Sequence, residues 1–210
     1  MFLPLFPLEL VVFPGEIVKL HIFEPRYIQL INECRTTNIT YGIPAYIDGA
    51  LATYGTQMRL VSVEKTHDTG EMDIRTEGIN AFHLDEFIRE VPQRLYHAGN
   101  VTLLDSDDSY FEVTYAELLK QYTRLHELLK TGAPVILPKE NPSYFIGQEL
   151  GLTPRLKLQV LATERESDRQ VIMIDYLLRL IPQVEKAHDQ RARAKSNGHF
   201  KKFPKIDLEG

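Results

Sequence analysis

Histidines and cysteines are the residues best suited to binding a transition metal, and their spacing in this chain is unfavourable for it. Ahead of residue 186 the histidines are His21, His67, His83, His97 and His126. None of them forms an H-x-x-x-H pair, and Cys34 is the only cysteine, so a thiolate pair is not available. His21 and His83 both fall on predicted strands and could share a surface, but solvent-facing or hydrogen-bonded histidines are the ordinary interpretation. The sequence therefore predicts no metal site and no cofactor.

A serine activated by a nearby lysine could perform nucleophilic catalysis. The serines of the chain are Ser62, Ser106, Ser109, Ser143, Ser167 and Ser196. Ser167 is better explained as a helix cap, since Gln170 follows three residues later in the order of a capping box. Glu164 and Glu166 are interpreted as polar residues of a loop between helices. We therefore predict no catalytic residue, and a small-molecule hydrolase that uses one of these serines or carboxylates is kept as an alternative.

Charge and composition describe an ordinary globular protein rather than a general nucleic-acid binder. Of the 210 residues, 43% are hydrophobic and 25% are charged, which is enough apolar material for a substantial core. The formal net charge of −5 is unevenly distributed, because residues 186–210 carry +4 and residues 1–185 carry −9. Proteins that bind nucleic acid normally carry a basic surplus. Only the tail could therefore serve RNA binding.

The apolar first residues lack the pattern of a targeting segment. A positively charged start and a small-residue cleavage site are missing, and prolines interrupt the apolar run. No uninterrupted apolar stretch approaches the roughly 20 residues that a membrane-spanning helix needs. We expect a cytoplasmic protein with no leader and no membrane span.

The first 27 residues are the segment around which the rest of the chain is predicted to be organised. Pro4, Pro7 and Pro14 exclude a helix interior over its first part, so the segment is predicted to form short strands joined by turns. Residues 17–22 alternate between apolar and polar, as in a half-buried strand, and Pro25 opens a helix that carries Cys34 on its apolar face. Glu24 and Arg26 are thereby placed at a strand-to-helix junction.

The residues that follow predict more strands. Residues 41–47 contain Gly42 and Pro44, which predicts a strand that lies at an edge or carries a bulge. Residues 48–55 are predicted as a loop of small residues. A hairpin of two strands follows, and a turn is predicted at residues 78–80.

Helical spacing begins at about residue 110 and predicts four helices, the last of them ended or kinked by Pro182. The acidic residues 105–109 are predicted to form the linker that precedes them. The chain is thus predicted to be α+β, with a β-rich subdomain over residues 1–105, a helical subdomain over residues 106–185 and a basic, flexible tail over residues 186–210. A docking arm for an acidic surface is the alternative for that tail.

Three stretches of the opening resemble the amino-terminal, substrate-binding domain of the ATP-dependent protease Lon, in its stand-alone version: PLFPL at 4–8, VVFPG at 11–15 and LHIFEPRY at 20–27. The resemblance extends over about residues 1–185. It implies a small closed β-sheet of the PUA-like type, with one early helix, followed by a helical bundle. Full-length Lon also contains an ATPase and a serine–lysine protease. No glycine of this chain is followed by lysine, so the phosphate-binding loop of an ATPase is absent.

The resemblance implies recognition of unfolded or partner polypeptide without catalysis, with an adaptor- or chaperone-like task in protein quality control and a separate protease as a conceivable partner. Edge strands can accept a peptide by β-addition, and grooves beside a sheet can hold apolar side chains. The candidate peptide-binding residues are Glu24, Arg26, Tyr46, Leu51 and Tyr54. An RNA-binding PUA-like protein that uses the basic tail is the alternative. The sequence leaves the bound polypeptide and the oligomeric state open.

Overall fold

The computed structural model describes residues 1–105, 111–132 and 136–198. Over these residues the fold is α+β with six strands and five helices, which confirms the predicted fold class. The strands are β1 (Phe2–Leu5), β2 (Ile17–Ile22), β3 (Tyr41–Ile47), β4 (Ala50–Thr66), β5 (Met72–Ile88) and β6 (His97–Leu103). The helices are α1 (Pro25–Thr37), α2 (Glu112–Leu129), α3 (Pro142–Glu149), α4 (Pro154–Leu161) and α5 (Glu166–Gly198). Among these helices, none has the length and apolar character needed to cross a membrane.

Strand β5 closes the sheet. The strand order is β2-β5-β4-β3-β1-β6, and β6 pairs back onto β5. Residues 72–77 of β5 pair with β2 and residues 82–88 pair with β6, so one edge of a single long strand serves two partners in turn. Five strands therefore form a closed sheet, as the resemblance implied, and β2 is added outside it.

Strand β5 continues through Gly78, so the turn predicted at residues 78–80 was wrong. The Gly78 N–H donates to the Glu16 carbonyl at 2.9 Å, and the Gly78 carbonyl accepts from the Gly15 N–H at 2.8 Å. A Cβ at position 78 would lie 2.4 Å from the carbonyl oxygen of Phe13. Glycine is needed here because another segment of backbone approaches closely, and not because the chain reverses.

The connection between β3 and β4 is much shorter than the loop predicted over residues 48–55. Ile47 pairs directly with Ala50, which leaves a two-residue turn of Asp48 and Gly49. Both turn residues have positive φ, 53° and 78°, as Asp-Gly adopts in the tight turns that suit the twist of a hairpin. Most of the predicted loop is therefore the start of β4.

The helices pack against the sheet through Phe13. Its ring stacks on Tyr144 of α3, with the ring centroids 5.2 Å apart. A Cβ at Gly147 would come within 2.7 Å of the same ring. Buried residues of both parts, such as Ala81 of β5 and Leu177 of α5, belong to one continuous hydrophobic core. The β-rich and helical regions thus share this core, while two further clusters of buried residues lie within the β-rich region alone.

Helix α5 runs past Pro182 to Gly198, so Pro182 does not end it. An interior proline costs a helix about 3 kcal/mol, and tertiary packing can offset this. Ile181 is buried in the core just before the proline, and Arg124 of α2 donates to Glu185 just after it at 2.7 Å. The first residues of the predicted tail, 186–198, have a helical backbone. The rest of that tail and the predicted linker residues 106–109 lie outside the described residues.

A buried polar cluster joins the starts of α3 and α5. The predicted cap Ser167 lies inside α5, which already begins at Glu166. Glu166, interpreted from the sequence as a loop residue, is 0% exposed, and one of its carboxylate oxygens accepts from the Ser143 hydroxyl at 2.6 Å and from Arg169 Nε at 3.0 Å. The other Arg169 nitrogens donate to the Thr163 and Glu164 carbonyls and to Asn141 Oδ1. We call Ser143, Glu166 and Arg169 the junction cluster.

Candidate peptide-binding groove

An open groove of about 580 Å³ lies beside the turn between β3 and β4, next to the start of α1. Its apolar surface comes from Pro7, Leu8, Tyr27, Tyr46, Leu51 and Phe87. Its polar surface comes from Glu9, Arg26, Arg89 and His97. We call this site the apolar groove. Its volume falls in the range of about 300–1,000 Å³ that is usual for ligand sites in proteins.

The hairpin of β3 and β4 forms one wall of the apolar groove. Tyr46 and Leu51 are directly opposite each other in the antiparallel register. The register shifts between Pro44 and Tyr46, which is the bulge alternative predicted for this strand. The Tyr46 hydroxyl donates to the Gly49 carbonyl at 2.9 Å, and the residue remains 39% exposed. The hairpin thus exposes the ring of Tyr46, whose hydroxyl already has a hydrogen-bond partner within the hairpin.

Strand β3 has neighbours on both sides, β4 and β1, so the predicted edge position is not found. Beyond β1, Leu8 continues the pairing through a bridge to Ala45, and the Tyr46 N–H donates to the Leu8 carbonyl at 2.7 Å. The backbone polar groups of this wall are therefore occupied. A ligand of the apolar groove would contact the side chains of β3, and β-addition to β3 is blocked.

The opposite part of the apolar groove is built from β5, β6 and α1. Phe87 of β5 and His97 of β6 have ring centroids 5.2 Å apart. The Arg26 guanidinium lies 4.6 Å from the centroid of the Tyr27 ring, a cation–π distance, and Tyr27 packs against Phe6 with ring centroids 3.9 Å apart. Burial raises the pKa of the Tyr27 hydroxyl, so this ring stays neutral at physiological pH.

Glu24 and Arg26 form an ion pair at the entrance of α1. The two Arg26 nitrogens Nε and Nη2 lie 2.9 and 2.7 Å from Glu24 Oε2. Both side chains are more than a third exposed, so solvent screens the pair and it contributes little to stability. The Arg26 guanidinium can therefore leave Glu24 and turn toward a carboxylate of a bound ligand at a small cost in free energy.

The structure brings three of the five sequence-predicted residues together. Arg26, Tyr46 and Leu51 line the apolar groove. Glu24 does not line it but forms an ion pair with Arg26, which does. Tyr54 does not line it, because residues three apart on a strand point to opposite faces. The Tyr54 ring instead meets His83 edge-to-face, with centroids 5.1 Å apart.

Sequence reasoning missed Leu8, Tyr27 and Phe87. Tyr27 and Leu8 appear in the sequence analysis only as members of the opening motifs LHIFEPRY and PLFPL. The face of β5 on which Phe87 lies depends on a register shift between Leu84 and Glu86, which no local sequence pattern indicates. Among the described residues that line the apolar groove, none is a serine or a cysteine. The chemistry available there is burial of apolar side chains beside two guanidinium groups.

Comparison with known proteins identifies the family. The substrate-binding domain of the ATP-dependent protease La (LON) matches residues 2–179 of the chain. The chain belongs to this family. It is a family of non-catalytic domains, and the match covers neither the ATPase nor the protease of Lon. The resemblance predicted from the opening motif is thereby confirmed.

Two solved Lon domains have the same fold. The chain is similar to a Lon N-terminal domain protein from Xanthomonas campestris, with a TM-score of 0.67 and 24% identity over 84% of this chain and 98% of that one. It is also similar to the N-terminal domain of the Mycobacterium avium complex Lon protease, with a TM-score of 0.64 and 13% identity over the same shares of the two chains. No curated protein matches the chain.

Proposed function

We propose that this chain binds unfolded or partner polypeptide in the apolar groove and holds it without chemical change, as an adaptor or chaperone does. Membership of the Lon substrate-binding domain family supports polypeptide binding. The observation that carries the location is the convergence of Tyr46, Leu51 and Phe87 on one open concavity. Concave sites lined by aromatic and aliphatic residues are where apolar side chains of a ligand are buried.

The composition of the apolar groove suggests which segments it prefers. An apolar or aromatic side chain fits between the hairpin wall and Phe87, because each surface is carbon-rich and partly exposed. Arg26 and Arg89 outnumber the one carboxylate among the described lining residues, Glu9, and favour an acidic residue next to the buried one. We therefore expect preference for short segments in which an aromatic or aliphatic residue is followed or preceded by aspartate or glutamate.

The experiment is a binding titration with a fluorescently labelled, permanently unfolded polypeptide at two salt concentrations. Tyr46→Ala should weaken binding about tenfold, which corresponds to about 1.4 kcal/mol, because tyrosine is enriched among the few interface residues whose truncation costs most. Tyr54→Ala is the matched control, because Tyr54 is on the same hairpin but outside the apolar groove. Both variants are first checked for native circular dichroism.

The outcomes separate the proposal from its alternatives. Binding that survives salt, falls in Tyr46→Ala and is unchanged in Tyr54→Ala supports the proposal. Equal affinities of the wild type and Tyr46→Ala for the polypeptide would show that the apolar groove is not the binding site. Single-stranded RNA is titrated in parallel: salt-sensitive RNA binding without polypeptide binding would favour the RNA-binding alternative.

A further inference from the structure

Two histidines and an aspartate that are distant in sequence meet at the outer edge of the sheet, away from the apolar groove. His21 of β2 is directly opposite Asp73 of β5 in the antiparallel register. His67 follows the last residue of β4 and lies in the hairpin loop that leads to β5. One potential ligand atom from each of the three lies within 4.8 Å of the others. We call these residues the histidine cluster.

The two imidazoles converge on the same carboxylate. His21 Nδ1 is 2.7 Å from Asp73 Oδ1, and His67 Nε2 is 2.8 Å from Asp73 Oδ2. The two rings lie nearly perpendicular, with centroids 5.6 Å apart. A histidine nitrogen that donates its N–H to Asp73 can coordinate a metal ion instead, because the nitrogen has a lone pair in the same direction when it does not carry the proton. The histidine cluster therefore presents two nitrogens and a carboxylate oxygen to one small volume.

The backbone holds the histidine cluster in place. The His67 N–H donates to the Glu71 carbonyl at 2.8 Å, and the Gly70 N–H donates to the His67 carbonyl at 2.9 Å. Gly70 has a φ of +89°, which this tight loop requires and glycine adopts without strain. The other two members stand on paired strands. Binding an ion would therefore order side chains but would not need to order a loop.

Glu71 occupies the position of an orienting group. Its Oε2 lies 3.5 Å from His21 Nε2, the ring nitrogen that does not face Asp73. Histidines that bind metals almost always donate their other N–H to a carboxylate, a carbonyl or water, which fixes the ring. Glu71 also makes the site doubly anionic when both histidines are neutral, and the adjacent Lys19 and Arg75 pair with Glu64 at 3.6 Å each.

We propose that His21, His67 and Asp73 bind a divalent transition-metal ion, Zn²⁺, with Glu71 orienting His21. Zinc lies about 2.0–2.2 Å from such N and O ligands, which places neighbouring ligand atoms roughly 3.4 Å apart in a tetrahedron. To reach that value, the two histidine–carboxylate distances lengthen from 2.7 and 2.8 Å, and the widest separation, at most 4.8 Å, shortens; rotations of side chains that are 30–48% exposed allow both. Water fills the fourth position. Imidazole ligands favour Zn²⁺ over Mg²⁺ and Ca²⁺, which prefer all-oxygen sites.

A bound ion would fasten β2 to the hairpin between β4 and β5. Strand β2 lies outside the closed part of the sheet and pairs only with β5 among the described strands. A ligand that binds the native state and not the unfolded chain raises the free energy of unfolding, and the gain grows with the logarithm of the ratio of free ligand to Kd. Zn²⁺ should therefore raise the melting temperature of the protein.

The test is calorimetric titration of the full chain with Zn²⁺ after stripping with a chelator. His67→Gln and Asp73→Asn remove one ligand each and should weaken binding about a hundredfold or more, and Glu71→Gln should weaken it less, by about tenfold, the lower end of the range for orienting groups. The matched control is His83→Gln. His83 pairs with Asp85 at 2.8 Å, like the pairs of the histidine cluster, but neither belongs to the group that could hold a metal. Near-ultraviolet circular dichroism verifies that each variant is folded.

The expected result is one equivalent of Zn²⁺ bound by the wild type and by His83→Gln, with an increase in melting temperature that His67→Gln and Asp73→Asn lose. Co²⁺ provides a second probe, because four- or five-coordinate Co²⁺ gives visible absorption bands that the ligand variants should abolish. Other histidines of the chain could bind Zn²⁺ adventitiously; His83→Gln removes one of them, and the ligand variants keep all of them. Equal affinity in the wild type and His67→Gln, or equal losses in His67→Gln and His83→Gln, would overturn the proposal.

Discussion

Two glutamate–arginine pairs in this protein have similar distances and very different surroundings. Arg26 and Glu24, beside the apolar groove, approach to 2.7 Å with side chains 38% and 39% exposed. Arg169 and Glu166, in the junction cluster, approach to 3.0 Å with side chains 1% and 0% exposed. The shorter pair is the weaker one, because water competes for both of its charges.

The buried pair shows what is needed to keep charges in an interior. Taking two ions out of water costs several kcal/mol each, which mutual attraction repays only when further hydrogen bonds satisfy both groups. Glu166 also accepts from Ser143 and Gln170, and Arg169 donates to two carbonyls and Asn141. The junction cluster therefore stabilises the packing of α3 against α5. The pair at the apolar groove can exchange partners and is suited to binding.

Arg169→Ala provides the largest test of this contrast. It leaves the Glu166 carboxylate buried without its cation, so we expect a loss of about 3–5 kcal/mol in the free energy of unfolding. Arg26→Ala, the exposed counterpart, should lose about 1 kcal/mol or less. Urea denaturation followed by circular dichroism measures both. Similar losses in the two variants would refute the contrast.

Ser143→Ala tests whether the hydrogen bonds around the buried pair matter as much as the charges. The hydroxyl of Ser143 donates to Glu166 and accepts from Arg169 Nε at 3.2 Å. Its removal leaves buried groups short of a partner, which costs about 1–3 kcal/mol. Ser62→Ala is a control, because Ser62 lies on β4, remote from the junction cluster. A loss no larger than that of the control would show that Ser143 is dispensable.

Glu24→Gln sharpens the functional side of the comparison. The substitution releases Arg26 from its ion pair, so the affinity for an unfolded polypeptide with acidic residues should rise about twofold to fivefold. Stability should hardly change. The measurement is the titration proposed above, with a polypeptide lacking acidic residues as the control ligand. Unchanged or weaker binding of the acidic polypeptide would mean that Arg26 does not contact it.

The smallest expected effect concerns pH at another exposed pair. Hydrogen bonds from His83, and then from Thr102, hold the pKa of Asp85 below its ordinary 3.8. A carboxyl whose pKa is lower in the folded state stabilises the fold above its unfolded-state pKa, and this contribution disappears as the pH falls through the folded-state pKa. Asp85→Asn should therefore lower the melting temperature slightly at pH 6, and the difference from the wild type should shrink as the pH falls below 3.8. If the difference in melting temperature stayed constant as the pH fell, the hydrogen bonds of ionised Asp85 would not be the cause of it.

Local signals were predicted well because their physical causes act within a few residues. Thr153 followed by Pro154 is a local signal for a helix start, and the Thr153 hydroxyl accepts from the Leu156 N–H at 3.3 Å at the start of α4. The strand predicted at residues 41–47 is β3. Asp48-Gly49 was an available signal for a tight hairpin turn that the prediction did not use.

Non-local features were the ones that the sequence could not supply. Gly78 looked like a turn because the Phe13 carbonyl that approaches it lies far back in the chain. Glu166 looked like a loop residue because its partner Ser143 belongs to another helix. Tyr54 was expected in the binding site because it is near Tyr46 in sequence, whereas the alternation along β4 points it elsewhere.

The sequence by itself determined the family, the α+β class and the position of most helices and strands, since proline, capping residues and apolar periodicity act over short distances. Tertiary structure alone decided which side chains meet. Closure of the sheet by β5 brings Phe87 to the hairpin wall, and the pairing of β2 with β5 brings His21 to Asp73. Strand register determines which of these side chains are neighbours, because a shift of one residue would turn every side chain of a strand to the other face.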